Sequence, residues 1–277
     1  MTTPATGSLF VVSTPIGNLE DFSARAIETL RSVKAVLAED TRHSRHLLDR
    51  YGIATALVAH HEHNEASTTP GLVDRMLRGD SLALISDAGT PLLSDPGARL
   101  VAAAIAAGIT VTPVPGASAL LAALVASGID ASRFTFFGFL DRKGRDRSEA
   151  LEELARNPHT SVVYEAPNRV VSTLEALVAL GEGERIVAVA RELTKQFEEF
   201  RRGTVAELVQ YYESAPPRGE VVIVLAGASA PVLDEVMLRA RARALRNGGT
   251  SAREVARILT ETHRVPRNLA YKLVHEE

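Results

Sequence analysis

The stretch Leu82–Leu100, LALISDAGTPLLSDPGARL, decides the fold. It opens as a strand, Leu82 to Ile85, and closes as a helix, from Ala98 through Leu100 into an alanine-rich run. Between the two lies a loop with two Ser-Asp pairs, two prolines and two glycines. A strand that runs into a helix through such a loop marks a ligand crevice in an α/β protein. A phosphate loop would carry Lys or Arg in a pattern such as GxxxxGK. This loop has Asp87 and Asp95 and no positive charge before Arg99. It is therefore expected to grip hydroxyls, amines or a cationic ligand, with Asp87 and the backbone of Ser86–Pro91 as the gripping groups. The second half, SDPG, reads as a helix start, with Asp95 as N-cap and Pro96 at the first helical position.

On either side, strand-like runs alternate with helical ones. LFVVS leads through the turn TPIGN to a helix over Phe22–Val33, and AVLAE leads to a helix over Thr41–Tyr51. ALVAH precedes a helix over Thr68–Arg78, and ITVTPV precedes PGASALLAALVASG. Such alternation implies a mostly parallel sheet covered by helices. GIDASRFTFFGFL carries four of the eight Phe residues and breaks the pattern, so a domain junction is placed there. A second α/β unit follows through SVVYEAP, RIVAVARELT, FEEFRRGTVAEL and GEVVIVLAG. The expected domains are residues 1–128, 129–230 and a basic helical segment over 231–277. In that segment TSAREVARILTETH opens with a capping box of Ser251 and Glu254, and RVPRNLAYKLVHEE forms a second short helix.

The 277 residues are enough for two domains, and 45% of them are apolar. With no cysteine, a disulfide framework, a Cys-ligated zinc site and a Cys nucleophile are excluded. MTTPATGS lacks the charged and apolar regions of a signal peptide, and no run is apolar for long enough to span a bilayer. A cytoplasmic location is expected. Net charge is −3, but residues 232–277 hold nine of the 31 Lys and Arg against six of the 34 Asp and Glu. A basic tail on an acidic body suits a polyanionic partner.

Further residues bunch at strand ends. TPIGN is compatible with a plain turn, yet its place after the first strand points it at the same crevice. In PVPGASA the small residues Ala117, Ser118 and Ala119 leave room for a flat group or for close helix packing. Tyr164, Glu165 and Arg169 follow one strand, and Arg191, Glu192, Thr194 and Lys195 follow another. Charges beside an apolar strand are costly unless exposed or paired, so they are taken as part of a site. In HHEHNE, His61 and His63 would share a strand face without a third ligand, and no metal is expected. DRKGRDR is a basic loop at Asp141–Arg147, either solvated surface or a phosphate contact.

Nine of these segments stand in the order TPIGNLED, AEDTR, HNE, ISDAGTPLLSDPG, PGASA, FFGFL, YEAPNR, ARELTKQFEE and GEVVIV. In this series the chain resembles the tetrapyrrole methylase superfamily, and within it a branch that methylates small-subunit ribosomal RNA. The resemblance covers roughly Leu9 to Gly227. Asp141 stands where the branch often has Pro, and Asn168 where it often has His.

The resemblance implies two α/β domains of the tetrapyrrole methylase type with the cofactor in the interdomain cleft, plus a small C-terminal helical segment. It implies S-adenosylmethionine as cofactor, a homodimer, no membrane partner, and 16S rRNA in the small ribosomal subunit as substrate. The reaction would place a methyl on the ribose 2′-oxygen of a cytidine near the decoding centre. Cofactor roles fall by similarity to Asp87, Ala88, Gly89, Thr90, Pro91, Ser118, Ala119, Tyr164, Glu165, Ala190 and Arg191. Candidates for handling the hydroxyl proton are Glu192 and Lys195, then Glu165 and Asp40. Glu would take the proton directly, whereas Lys195 would do so only with a lowered pKa and would otherwise steady an alkoxide or a phosphate. RNA contacts are expected from Arg42, Arg45, Lys143, Arg145, Arg147, Arg169 and the basic tail. A tetrapyrrole acceptor, or a non-catalytic RNA-binding role, remains open at this point.

Overall fold

Four residues, Ala35–Ala38, show how the first layer is built. All are buried: Val36 and Ala38 point to one side, Ala35 and Leu37 to the other. A strand apolar on both faces belongs inside a parallel sheet covered by helices on both sides. The computed structural model describes residues 6–228, 235–263 and 265–275, and places this strand there.

The first sheet comprises β1 (Ser8–Val12), β2 (Ala35–Ala38), β3 (Leu57–Ala59), β4 (Leu82–Leu84) and β5 (Thr110–Val114). All its pairings are parallel, in the order β3-β2-β4-β1-β5. Helices α1 (Ala24–Ser32) and α2 (Thr41–Arg50) cover one face through Ala26, Leu30 and Leu48, with Phe22 just before α1 packed beside them. Helices α3 (Glu62–Leu77) and α4 (Ala98–Ala106) cover the other through Leu72, Met76, Leu100 and Ala104. The chain leaves β1 for β2 in one direction and β4 for β5 in the other. Their loops therefore part at the topological switch point where α/β sheets bind ligands.

Helix α5 (Ala119–Ala126) packs instead on the second sheet, with Leu120, Ala123 and Leu124 against Val162, Ala188, Val222 and Val224. That sheet comprises β6 (Phe134–Phe139), β7 (Thr160–Glu165), β8 (Ile186–Arg191), β9 (Glu199–Thr204) and β10 (Val221–Leu225), in the order β6-β7-β10-β8-β9. Its far face carries α6 (Arg145–Arg156), α7 (Val170–Ala179) and α8 (Val205–Ser214). Only β6–β7 is parallel; the other three pairings are antiparallel. The expectation of mostly parallel pairing thus holds for the first sheet and fails for the second. Between β8 and β9 the chain has only Glu192–Glu198, too short for a crossover helix, so β9 must return antiparallel.

Two other expectations are corrected. α3 begins at Glu62, six residues before the expected start, because His61 and Asn64 form its capping box. His61 and His63 thus sit at a helix start rather than on a strand face. α4 begins at Ala98 with Gly97 as N-cap, so Asp95 does not cap it.

The chain divides into two compact units, Met1–Ala155 with Thr160–Ala226, and Arg156–His159 with Gly227–Glu277. The first holds both sheets. The expected junction at 128/129 lies inside it, between α5 and β6, and the one at 230/231 lies outside the described residues. The second unit holds α9 (Glu235–Asn247), α10 (Ala252–His263) and α11 (Arg267–His275) around Leu238, Ala242, Val255, Leu259, Ala270 and Leu273. The Glu254 amide donates to the Ser251 hydroxyl at 3.2 Å, the first half of the expected cap, while the Glu254 carboxylate pairs with Arg257. Among the described residues no helix is long and apolar enough to cross a membrane.

Candidate active site

The loops after β1, β4 and β5 are tied to one another. The Thr14 amide donates to Gly89 O at 2.8 Å and the Gly89 amide to Thr14 O at 3.1 Å. The Thr90 hydroxyl donates to Ala117 O at 3.0 Å and lies 3.0 Å from the Ser13 hydroxyl. Threonine has one hydroxyl hydrogen, so Ser13 is the donor in the second bond. Gly89 holds φ 77, a conformation that costs a side-chain-bearing residue about 1–2 kcal/mol. A Cβ on Gly116 would stand 2.9 Å from Ser13 Cβ, so that loop also passes too close for a larger residue.

Strand register brings the second sheet to the same place. Val222 pairs with Tyr164 and Ala190, and Val221 with Glu165 and Arg191. The Tyr164 hydroxyl accepts from the Leu120 amide at 3.1 Å, and its ring meets Phe136 and Phe139 at 4.9 and 5.5 Å between centroids. Burial pushes the Tyr164 phenol above its ordinary range.

These elements enclose a cavity of about 400 Å³. Glu39, Asp87 and Asp95 line it, with Phe139 and Tyr164 as aromatic walls and Gly89, Ser118 and Ala119 as small ones. Among the described residues no Lys or Arg lines it. Burial, with Glu39 and Asp87 nearby, pushes the Asp95 carboxyl up to about 6, the Ser86 hydroxyl opposing. Burial and Asp87 also raise Glu39. Three acids crowded together, with no Lys or Arg among the described lining residues, suit a positively charged guest and repel a phosphate.

Glu165 reaches the cavity wall but its carboxylate is spoken for. It accepts from the Thr173 hydroxyl at 2.6 Å and from its neighbour's amide, Ala166 N, at 2.9 Å. Arg169 Nε lies 2.9 Å away and Arg147 Nη1 3.9 Å away. Both arginines continue to backbone carbonyls of β6's exit, Arg169 to Leu140 O and Arg147 to Asp141 O. The Glu165 side chain is fully buried, so the cluster is a brace for the loop after β7.

Residues 8–209 match the profile of a family described as Tetrapyrrole (Corrin/Porphyrin) Methylases. The chain belongs to the tetrapyrrole methylase family. It is therefore a methyltransferase, and the family implies a methyl donor. The methylase is 44% identical to Ribosomal RNA small subunit methyltransferase I of Synechocystis sp., over 96% of this chain and 97% of that one. It is 45% identical to the protein of that name from Xylella fastidiosa, over 98% and 99%. Among solved structures, uroporphyrin-III-C-methyltransferase from Thermus thermophilus matches with a TM-score of 0.55 at 22% identity, over 79% of this chain and 94% of that one. That likeness speaks for the fold alone.

The methylase places its expected site residues unevenly. Asp87, Ala88, Gly89, Thr90, Ser118, Ala119, Tyr164 and Glu165 line the cavity; Pro91, Ala190 and Arg191 do not. Ala190 is buried in the sheet core, and Arg191 bonds Glu199 at 2.5 Å. Asp40 caps α2, accepting from the Arg42 and His43 amides, which lowers its pKa. Glu192, at φ 50, accepts from the Glu220 amide at 3.0 Å and from Lys195 at 3.1 Å, and sits below the usual carboxylate range. Lys195 also bonds Glu220 at 2.9 Å, and these partners raise its pKa against the effect of burial. The condition under which Lys195 would act as a base is thus not met. Arg42, Lys143 and Arg145 are exposed and Arg45 is half-buried, while Arg147 and Arg169 turn inward to Glu165 rather than outward to RNA.

Sequence reasoning passed over Glu39, Asp95, Phe139 and Gly219–Val222 as cavity residues. It also passed over a second cavity of about 330 Å³ that shares Ile16, Asp87, Ala88 and Glu220 with the first. Its remaining walls include Lys195 and a stripe of α2, His43, His46, Leu47 and Arg50. The spacing of that stripe was available in the sequence.

Proposed function

We propose that this methylase transfers a methyl group from S-adenosylmethionine to the ribose 2′-oxygen of a cytidine in 16S rRNA of the small ribosomal subunit, near the decoding centre. A cytoplasmic homodimer belongs to the same reading. The carrying observation is the pairing of cavities: one lined by acids and, among the described residues, free of Lys and Arg, the other rimmed by His43, His46, Arg50 and Lys195. The names of the relatives and the nine motifs in order support the substrate.

S-adenosylmethionine supplies a methyl group on a sulfonium, already activated for in-line displacement. Asp87, Asp95 and Glu39 would face its positive charges, and Phe139 and Tyr164 its flat ring. Gly89, Ser118 and Ala119 leave the space. The tied loops after β1, β4 and β5 fix the wall, so alignment of acceptor and methyl is built in before binding. Lys195 keeps its proton and serves as a cation for a developing oxygen charge or a phosphate. Glu192 and Glu220 hold that ammonium in place.

The test uses radiolabelled S-adenosylmethionine and small ribosomal subunits from cells lacking this enzyme, followed by digestion of the RNA to nucleosides. Label is expected in 2′-O-methylcytidine. Label in a porphyrinoid offered in parallel, with none in RNA, would replace the acceptor class.

A further inference from the structure

α2 presents two adjacent stripes. Ser44 and Leu48 are buried under the sheet, and Leu48 packs in its core. His43, His46, Leu47 and Arg50 fall within about 100° of arc beside them, at the three- and four-residue steps of a helix. They face the second cavity, whose opposite walls are Pro15, Ile16 and Leu19 from the loop after β1. His43 stands in the first turn of α2, and its amide bonds the Asp40 carboxylate at 3.3 Å. The Asp40 amide in turn donates to Asp87 Oδ1 at 3.2 Å, and Asp87 lines both cavities. His43 is thereby fixed near the wall shared with the donor cavity. Arg50 lies seven residues on, about 10 Å further along the helix axis. Among the described residues the side chains of His43, His46 and Arg50 have no hydrogen bond or ion pair.

We infer that this cavity seats the acceptor nucleotide, with His43 taking the proton of the ribose hydroxyl and Arg50 holding a phosphate of the same strand. The inference rests on the proposed RNA acceptor. Pro15, Ile16, Leu19 and Leu47 supply an apolar bed for the sugar or base, and the cations rim it. In the step, a lone pair of the ribose 2′-oxygen forms the bond to the methyl carbon. The carbon–sulfur bond breaks with its pair left on sulfur, and the hydroxyl proton passes to the imidazole of His43. A neutral imidazole can accept that proton, whereas Glu192 and Lys195 are committed to each other. The charged and titratable groups around His43 are Asp40, Arg42, His46 and Arg50 on its own helix, Asp87 from the loop after β4, and Lys195 and Glu220 from the second sheet.

Full-length His43→Gln, His43→Ala and Arg50→Ala are assayed on the same subunits, with donor affinity measured by calorimetry. For His43→Gln the expected result is unchanged donor affinity, a kcat lower by roughly 10²-fold or more, and loss of the acid limb of the kcat–pH profile. Added imidazole is expected to restore part of the rate of His43→Ala, which a merely structural role would not allow. Arg50→Ala is expected to raise KM for the subunit about tenfold and to reduce the salt slope of RNA binding by about one, with kcat little changed. His43→Gln with wild-type kcat and an intact acid limb overturns the role of His43. Arg50→Ala with unchanged KM and salt slope overturns the phosphate contact. A wild-type chain that binds donor but labels no RNA overturns the acceptor class beneath both, and is told apart by that result alone.

Discussion

Asp95 shows how much one side chain can depend on its neighbours. Its carboxyl is partly buried, faces Glu39 and Asp87, and titrates at about 6 rather than at 3.8. The folded chain therefore binds this proton more tightly than the unfolded chain does. Stability held below pH 3.8 is lost as pH rises through about 6, and stays lost above. Asp95→Asn removes the titration. Without donor, its melting temperature is expected to match the wild type near pH 4 and to exceed it increasingly up to pH 6–7, then by a constant margin. Equal melting curves at pH 8 would refute the crowding of acids described above. The same substitution is expected to weaken donor binding at pH 8, because a charge facing a cation is removed. The sequence concealed this residue for a physical reason. Asp-Pro-Gly before an apolar run fits a helix start, and only the left-handed backbone at Leu92 and Ser94 (φ 73 and 69) carries Asp95 to the cavity instead. Nothing in the side chains of Leu or Ser announces that conformation.

At the level of elements, the loop Ile85–Gly97 is held under strain by what surrounds it. Two residues with side chains take positive φ, which costs about 1–3 kcal/mol each and persists only where the surroundings dictate it. The bonds from Thr14 and Ala117 provide that dictation at one end, and Gly97 at the other. Gly97 sits at φ 122 with Leu84 against the place where a Cβ would stand. Gly97→Ala is expected to destabilise the chain by about 1–3 kcal/mol from backbone strain alone, with the clash adding to it. Urea unfolding should show a lower midpoint at unchanged slope, together with weaker donor binding, because the loop lines the cavity. An unaltered midpoint would mean the loop is looser than its bonds imply. The first sheet was legible in the sequence because Ala35–Ala38 and Leu82–Ile85 are apolar on both faces, and a helix follows each, after a short turn in the first case and a long loop in the second. The second was legible as strands but not as pairings, since direction is set by the lengths of connections and not by strand composition. Arg147 and Arg169 misled for a related reason. The expected basic loop over Asp141–Arg147 in fact ends at Gly144, Arg147 stands in the first turn of α6, and the buried Glu165 carboxylate explains why both arginines turn inward.

On the scale of the molecule, charge and core divide along the same line. The helical unit has its own apolar centre in Leu238, Val255, Leu259 and Leu273, independent of either sheet. Its surface is cationic: Arg241, Arg243, Arg246, Arg253, Arg257, Arg267 and Lys272 are all exposed. Neither cavity draws a lining residue from it. The donor site is therefore expected to survive without these helices, whereas long-range attraction to a polyanion is not. A chain ending at Ala228 is expected to bind S-adenosylmethionine within about twofold of the full chain, since every acid and ring facing the donor remains. Its affinity for the small ribosomal subunit is expected to fall, with the plot of log affinity against log salt flattening by about 0.9 for each phosphate that the helices no longer neutralise. Isothermal titration of the donor and filter binding of the subunit at several salt concentrations separate the two effects. Loss of donor binding would show that the helices support the α/β unit itself. An unchanged salt slope would confine RNA recognition to the cations around the second cavity and on the exposed loops.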